Sequence, residues 1–168
     1  MISLRIIHIF SGVFWVGVSI FNISFLQPAI QSTGSEGQTV MQHLTRHTRF
    51  TATVYTAANL TLLSGLAMYW ILFQFRLSAL SSGYGLVLSI GSLAGIVAWV
   101  IAMFFIRRII SGMQAIGVAI QAQGGPPDPE QAEGLRAASS RLITMGQWGL
   151  AFMVISLLGM SVAQYVSL

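Results

Sequence analysis

The chain has 168 residues, 55% of them hydrophobic and only 7% charged, with a formal net charge of +4 and a mean hydropathy of +0.77. A soluble domain typically carries about 25% charge, so soluble, disordered and fibrous classes are excluded and an integral membrane protein is left. Every basic residue is Arg, and these lie between apolar runs rather than among stacking aromatics, so no nucleic-acid partner is expected.

Crossing a bilayer takes about 20 apolar residues, and four segments meet that requirement. The first covers residues 6–27 and is expected to stop before Pro28. Its apolar stretch exceeds the 7–15 residues of a secretory signal, so it reads as a span. The second covers 50–75, the third 84–106 and the fourth 142–165, and none of the four contains Asp, Glu, Lys or Arg. The runs are continuously apolar, whereas strands of a membrane barrel alternate. The expected fold is therefore all-α: one membrane domain over residues 1–168, a four-helix bundle in up-down-up-down order.

Arg5 and Arg76 belong to one side of the membrane. Arg46, Arg49, Arg107, Arg108, Arg136 and Arg141 belong to the other. The positive-inside rule puts the richer side in the cytoplasm and both termini outside.

Within the third span Gly91, Gly95, Ala98 and Ala102 share one face. Small residues at this spacing let helices approach closely. Packing inside the bundle is the favoured use, and a membrane-protein partner or second copy of the chain is the other. Beyond Arg108, residues Ile109, Met113, Ile116 and Ile120 continue a helical stripe. The run Gly124-Gly125-Pro126-Pro127 then breaks the helix. Asp128 is a good N-cap, Pro129 suits the first helical position, and Gln131 can close a capping box. Residues 107–141 thus read as a cytoplasmic helical hairpin that extends helices three and four, either packed on itself or docked on a partner.

Chemistry-bearing residues are few. No span holds a carboxylate and there is no Cys, which argues against a carboxylate-driven pump and excludes thiolate metal sites. Asn22 and Asn59 are read as interhelical hydrogen-bonding groups. His43 and His47 are four apart and share a helix face. With Glu36 they approach a metal-ligand spacing, but Arg46 and Arg49 would repel a cation, so a solvated interfacial helix is the expectation. Those two arginines can instead grip phosphate or carboxylate groups.

His8 is the imidazole inside a span, about one turn from its outer end. It is either an interfacial hydrogen-bonding group or a metal ligand. His8 and His47 cannot clamp one haem, because His8 lies roughly 28 Å from the inner end of its helix at 1.5 Å per residue. Met68 and Met160 fall near the depth of His8, and His/Met ligation is a cytochrome arrangement.

The segment Ile6-Ile7-His8-Ile9-Phe10-Ser11-Gly12-Val13-Phe14-Trp15-Val16-Gly17, ending at Pro28, resembles the first helix of the CopD-like superfamily. Arg46 and Arg49, Ser64-Gly65 and the run from Gly125 to Gln131 also fit an uncharacterised bacterial four-helix branch of that group. The superfamily includes HemJ-type proteins, in which the matching first-helix His is a haem ligand. A third-helix Lys important to that branch has no counterpart here, since the chain has no Lys. The resemblance implies a multi-pass protein of the bacterial cytoplasmic membrane, with haem b on His8 in electron transfer or porphyrin handling. Trp15 would flank the haem, Arg5 and Arg76 would meet its propionates, and Met160 or Met68 would be the sixth ligand, or the site would stay five-coordinate. The alternative is a non-catalytic subunit that scaffolds a larger membrane complex.

Overall fold

The computed structural model describes residues 1–166, without the side chains of Ser35, Gln38, Gln42, Arg46, His47 and Ala79. The expectations for Arg46 and His47 as side chains therefore lie outside the described residues. The described residues are helical throughout, joined by turns, and four helices are long and apolar enough to cross a membrane. The chain is a multi-pass, all-α membrane protein.

Five helices follow in order: α1 (Ile2–Thr33), α2 (Ser35–His47), α3 (Phe50–Phe73), α4 (Gly83–Gln123) and α5 (Pro129–Val162). All but α2 are the membrane helices. Short 3₁₀ turns cover Leu77–Ser81 and Ala163–Tyr165. Neighbours along the chain run antiparallel, and α1, α3, α4 and α5 close a ring in up-down-up-down order. The α2 side and the hairpin lie at one end of the bundle, and the two termini lie at the other.

The first helix corrects one expectation, because α1 does not stop before Pro28 but runs on to Thr33. A wide π-helical turn over Asn22–Leu26 makes this possible, with the Gln27 amide bonded to the Asn22 carbonyl. A proline inside a regular helix lacks a donor and clashes with the carbonyl one turn back. The widened turn just ahead of Pro28 shifts the hydrogen-bond pattern where that clash would fall. The helix ends instead at Gly34, whose φ of +60° turns the chain into α2. A second π turn, Ile101–Ile106, lies inside α4 at a similar depth. Sequence periodicity signalled neither turn.

The hairpin forms as its residues dictate. Gly124 closes α4 in the left-handed region. The Asp128 carboxylate accepts from the Gln131 amide at 2.7 Å, and Gln131 Oε1 accepts from the Asp128 amide at 3.1 Å. This reciprocal cap satisfies two donors at the start of α5, and an N-cap of this kind contributes about 1 kcal/mol. The two arms pack on each other, with Ile116 against Gly134.

Packing divides the bundle into two tight pairs, α1 with α3 and α4 with α5. The Gly91 face is spent inside the second pair. A Cβ placed on Gly91 would lie 3.2 Å from the Gly159 Cα, and one on Gly95 would lie 2.9 Å from Ser156 Oγ. Ala98 is fully enclosed, and Ala102 packs against the core. The favoured use of that face, packing inside the bundle, is the one seen, with α5 of the same chain against Gly91 and Gly95.

The pairs meet along a narrow seam where Trp15 packs with Ala57, Ala58, Ala98 and Met153. Asn59 Oδ1 accepts from the Trp99 indole at 2.9 Å, tying α3 to α4. This is the interhelical bond expected of Asn59. Asn22 makes no such bond: its Oδ1 is buried without a partner. Outside the seam, large apolar side chains such as Phe10, Leu63, Leu93 and Phe104 are exposed. That is the surface a lipid-facing bundle needs, since lipid tails are as apolar as the side chains themselves.

Candidate functional site

The site is built on the face where α1 crosses α3. Helical spacing puts His8, Ser11, Gly12 and Trp15 on one side of α1. Opposite them α3 presents Ala57, Thr61, Ser64 and Gly65, all small or hydroxylated. The match lets the helices approach closely enough for polar side chains to reach across.

His8 is held from the α3 side. Its Nδ1 lies 2.9 Å from the Thr61 carbonyl oxygen and 3.3 Å from Ser64 Oγ. A carbonyl only accepts, so Nδ1 carries the proton. The Ser64 hydroxyl donates back to the Leu60 carbonyl, which leaves a lone pair for Nδ1–H. The Thr61 hydroxyl in turn reaches Ser11 Oγ at 3.0 Å. Gly65 supplies the space for the ring: a Cβ there would stand 2.9 Å from His8 Cε1.

This geometry sets the chemistry of the ring. With Nδ1 protonated and bonded, the neutral imidazole keeps its lone pair on Nε2. Metal-ligating histidines are oriented in this way, their other nitrogen donating to a carbonyl or carboxylate that fixes tautomer and ring direction. The donor chemistry at His8 therefore fits an axial ligand to iron. The same contacts also fasten α1 to α3, each such bond being worth roughly 0.6 kcal/mol within a membrane.

The other expected residues are distributed as follows. Arg5 is exposed on α1, three residues before His8. Trp15 is 5% exposed and belongs to the seam between the pairs. Met68 is half-buried on α3, four residues beyond Ser64 and so on the face that carries the His8 contacts. Met160 belongs to the other pair, with its backbone against Gly91 and its sulfur 4.0 Å from Ser156 Oγ. Arg76 is exposed in the α3–α4 connection, beside a hollow of about 290 Å³ that Ser78 and Ser82 also line. Met68 thus shares the α3 face of Ser64, and Met160 sits on the α4–α5 contact. At the other end Glu36 and His43 are exposed on α2. Among the described residues no group of three His, Cys, Asp or Glu gathers to hold a metal.

No family model, no curated protein and no solved structure matches the chain. The roles of these residues rest on their own geometry and chemistry.

The partners of His8 are poorly legible in the sequence. A backbone carbonyl acceptor such as that of Thr61 carries no side-chain signature, and Ser64 reads from sequence as an ordinary helix-packing residue. Ser64 and Gly65 are marked only as a pair in the resemblance above. The signal that finds all three is the spacing of small and hydroxylated residues on α3, once α3 is known to face His8.

Proposed function

We propose that the chain is a b-type haem-binding protein of the bacterial cytoplasmic membrane, acting in electron transfer or porphyrin handling. The observation that supports this is the 2.9 Å approach of His8 Nδ1 to the Thr61 carbonyl oxygen, an acceptor that suits a protonated Nδ1 and leaves Nε2 as the ligand nitrogen. His8 would be the axial ligand, with Met68 as the methionine on the same pair of helices. Arg5 and Arg76 are the basic side chains at that end of the bundle, suited to pairing with carboxylates. Haem supplies one-electron chemistry when bound; the chain's own part is to orient the imidazole and to exclude water with apolar helix faces.

A visible spectrum of the detergent-purified protein tests the reading. The expected result is a Soret band with a sharp reduced α-band. His8→Ala abolishes it and His47→Ala leaves it intact, because an iron has axial ligands within a few ångströms and the two helix positions are roughly 28 Å or more apart along the axis. Loss of the band with His47→Ala and retention with His8→Ala would overturn the assignment. Purified protein without any Soret absorbance would favour a non-catalytic membrane subunit instead.

In the orientation we propose, the termini face outward and the hairpin faces the cytoplasm, since six arginines lie on the hairpin side and two on the other. Single cysteines at Ser3→Cys and Ser32→Cys test it in intact cells with a membrane-impermeant maleimide. Ser3→Cys is expected to react from outside and Ser32→Cys to stay protected. The opposite pattern would invert the topology.

A further inference from the structure

Charges at the hairpin end of the bundle are arranged in two tiers. Helix α3 covers the 24 residues Phe50–Phe73, or about 36 Å at 1.5 Å per residue. A hydrocarbon core is about 30 Å thick, so Arg49, just ahead of α3, emerges at the height of lipid headgroups. Contacts between helices carry that level around the bundle. The Asn59–Trp99 and Tyr69–Ser89 hydrogen bonds fix the antiparallel register of α3 and α4, which sets Arg49 at the height of Arg108 and Ile109. Gly91 against Gly159, Ile101 against Gly149 and Ile116 against Gly134 fix the register of α4 and α5, which sets Arg108 at the height of Arg141. Arg49, Arg107, Arg108 and Arg141 thus stand within about one turn of a single level on three helices, and all four are exposed.

The carboxylates make the second tier. The chain has four, and each lies farther from the bilayer. Glu133 is separated from Arg141 by about 12 Å along α5. Asp128 and Glu130 lie beyond it at the hairpin tip, and Glu36 is at the far end of α2 from Arg49. Among the described residues the ion pair joins Arg136 to Glu133, and none involves the four arginines. The Debye length is about 8 Å at physiological ionic strength, so the acidic tier does little to neutralise the basic one. On the bilayer side of the arginines, Phe104, Phe105 and Trp148 are exposed within about two turns.

We propose that the four arginines form a collar that selects phospholipids with a net anionic head. Each guanidinium donates to phosphate oxygens, a pairing its planar fork suits, and the acyl chains lie along the exposed aromatics. A zwitterionic head carries its own cation, which the collar repels. An anionic head brings the phosphate charge without one. Juxtamembrane clusters of basic side chains recognise anionic lipid through this difference. The collar rests neither on the haem reading nor on which side of the membrane the hairpin end faces.

Trp148 provides the readout, because it is 58% exposed on α5 and lies about 10 Å inward from Arg141 along the helix, level with the middle of an acyl chain. Bromine quenches indole emission at near contact. The full chain is reconstituted in vesicles of phosphatidylcholine with a minor share of phosphatidylglycerol, all with the same chains. In one set the phosphatidylglycerol carries mid-chain bromines, and in the other an equal amount of phosphatidylcholine carries them. The Trp148 component is the emission lost in Trp148→Phe. Its quenching is expected to report an occupancy about fivefold higher for the anionic lipid, the scale of one basic side chain near the surface. Raising salt to about 1 M shortens the Debye length to about 3 Å and is expected to lower the preference at least twofold. The double variant Arg108→Gln/Arg141→Gln is expected to bring it close to parity. Equal quenching by the two brominated lipids on the native chain would overturn the proposal, and that comparison needs no variant to fold. A preference that salt leaves unchanged, or that survives in the double variant, would also overturn it.

Discussion

Gly91→Leu is expected to lower the thermal midpoint of the detergent-solubilised protein sharply and to raise the fraction eluting as aggregate. The reason is the nature of the obstacle. A Cβ on residue 91 would stand 3.1 Å from the Met160 amide nitrogen, 3.2 Å from the Gly159 Cα and 3.2 Å from the Ser156 carbonyl oxygen. All three are backbone atoms of α5, which cannot rotate away as a side chain does. A leucine must push the two helices apart along their whole contact. Overpacking of this kind costs about 1–3 kcal/mol when side chains can adjust, and the upper end or beyond applies where backbone faces backbone. Gly17→Leu is the matched control, since nothing lies within 4 Å of a Cβ there. It is expected to leave the stability within about 0.5 kcal/mol of the native value and the midpoint nearly unchanged. Equal midpoints for the two variants would show that α4 and α5 do not approach as closely as described.

Trp15→Ala is expected to have the second large effect. Trp15 is the largest side chain in the buried cluster that joins the pairs, the others being Ala57, Ala58, Ala98 and Met153. The three alanines leave room for the indole. Truncation leaves a cavity that rigid helices cannot collapse into, and large aromatic-to-alanine changes in cores cost about 3–5 kcal/mol. Within a membrane the transfer contribution fades, because lipid is itself apolar, but the packing contribution remains. A loss of about 3 kcal/mol is expected by denaturant titration in mild detergent. Trp148→Ala, at a position 58% exposed beside Phe152, is expected to cost under about 1 kcal/mol. If the two variants unfolded together, the seam at Trp15 would not be what holds the pairs to each other.

These two variants probe separate contacts. Gly91 reports on packing inside one pair, and Trp15 reports on packing between pairs. Gly91 meets Ser156, Gly159 and Met160, whereas Trp15 meets Ala57, Ala58, Ala98 and Met153, so their effects should add to within about 0.5 kcal/mol.

Much of the architecture is legible in the sequence. The spans follow from runs of apolar residues, and the bilayer thickness sets the length at which such a run becomes a crossing. The hairpin was legible for a similarly local reason. Gly124 ends a helix in the left-handed region, and Asp128, Pro129 and Gln131 start the next through contacts within three residues. The face of Gly91, Gly95, Ala98 and Ala102 was visible as a packing surface, because helical spacing alone brings those residues together.

The candidate site was only half legible. His8 stood out as an ionisable group inside a span, and that inference needs no neighbour. Its tautomer did not, because that depends on the Thr61 carbonyl reaching Nδ1 from another helix. Pro28 misled for the same reason. Taken alone it reads as a helix end, yet the π turn over Asn22–Leu26 lets α1 continue.

The sequence by itself determined what is local: which segments cross the membrane, where the hairpin turns and which residues can share a helix face. Periodicity, capping and apolar length act over a few residues and leave a direct trace in their order. The tertiary structure alone decided the rest. It chose α5 as the partner of the Gly91 face, turned Nδ1 of His8 toward α3, and left Asn22 Oδ1 buried without a partner. Each of these depends on how far apart two helices stand and how they are rotated, and that distance is fixed jointly by side chains from both partners, so neither segment records it alone.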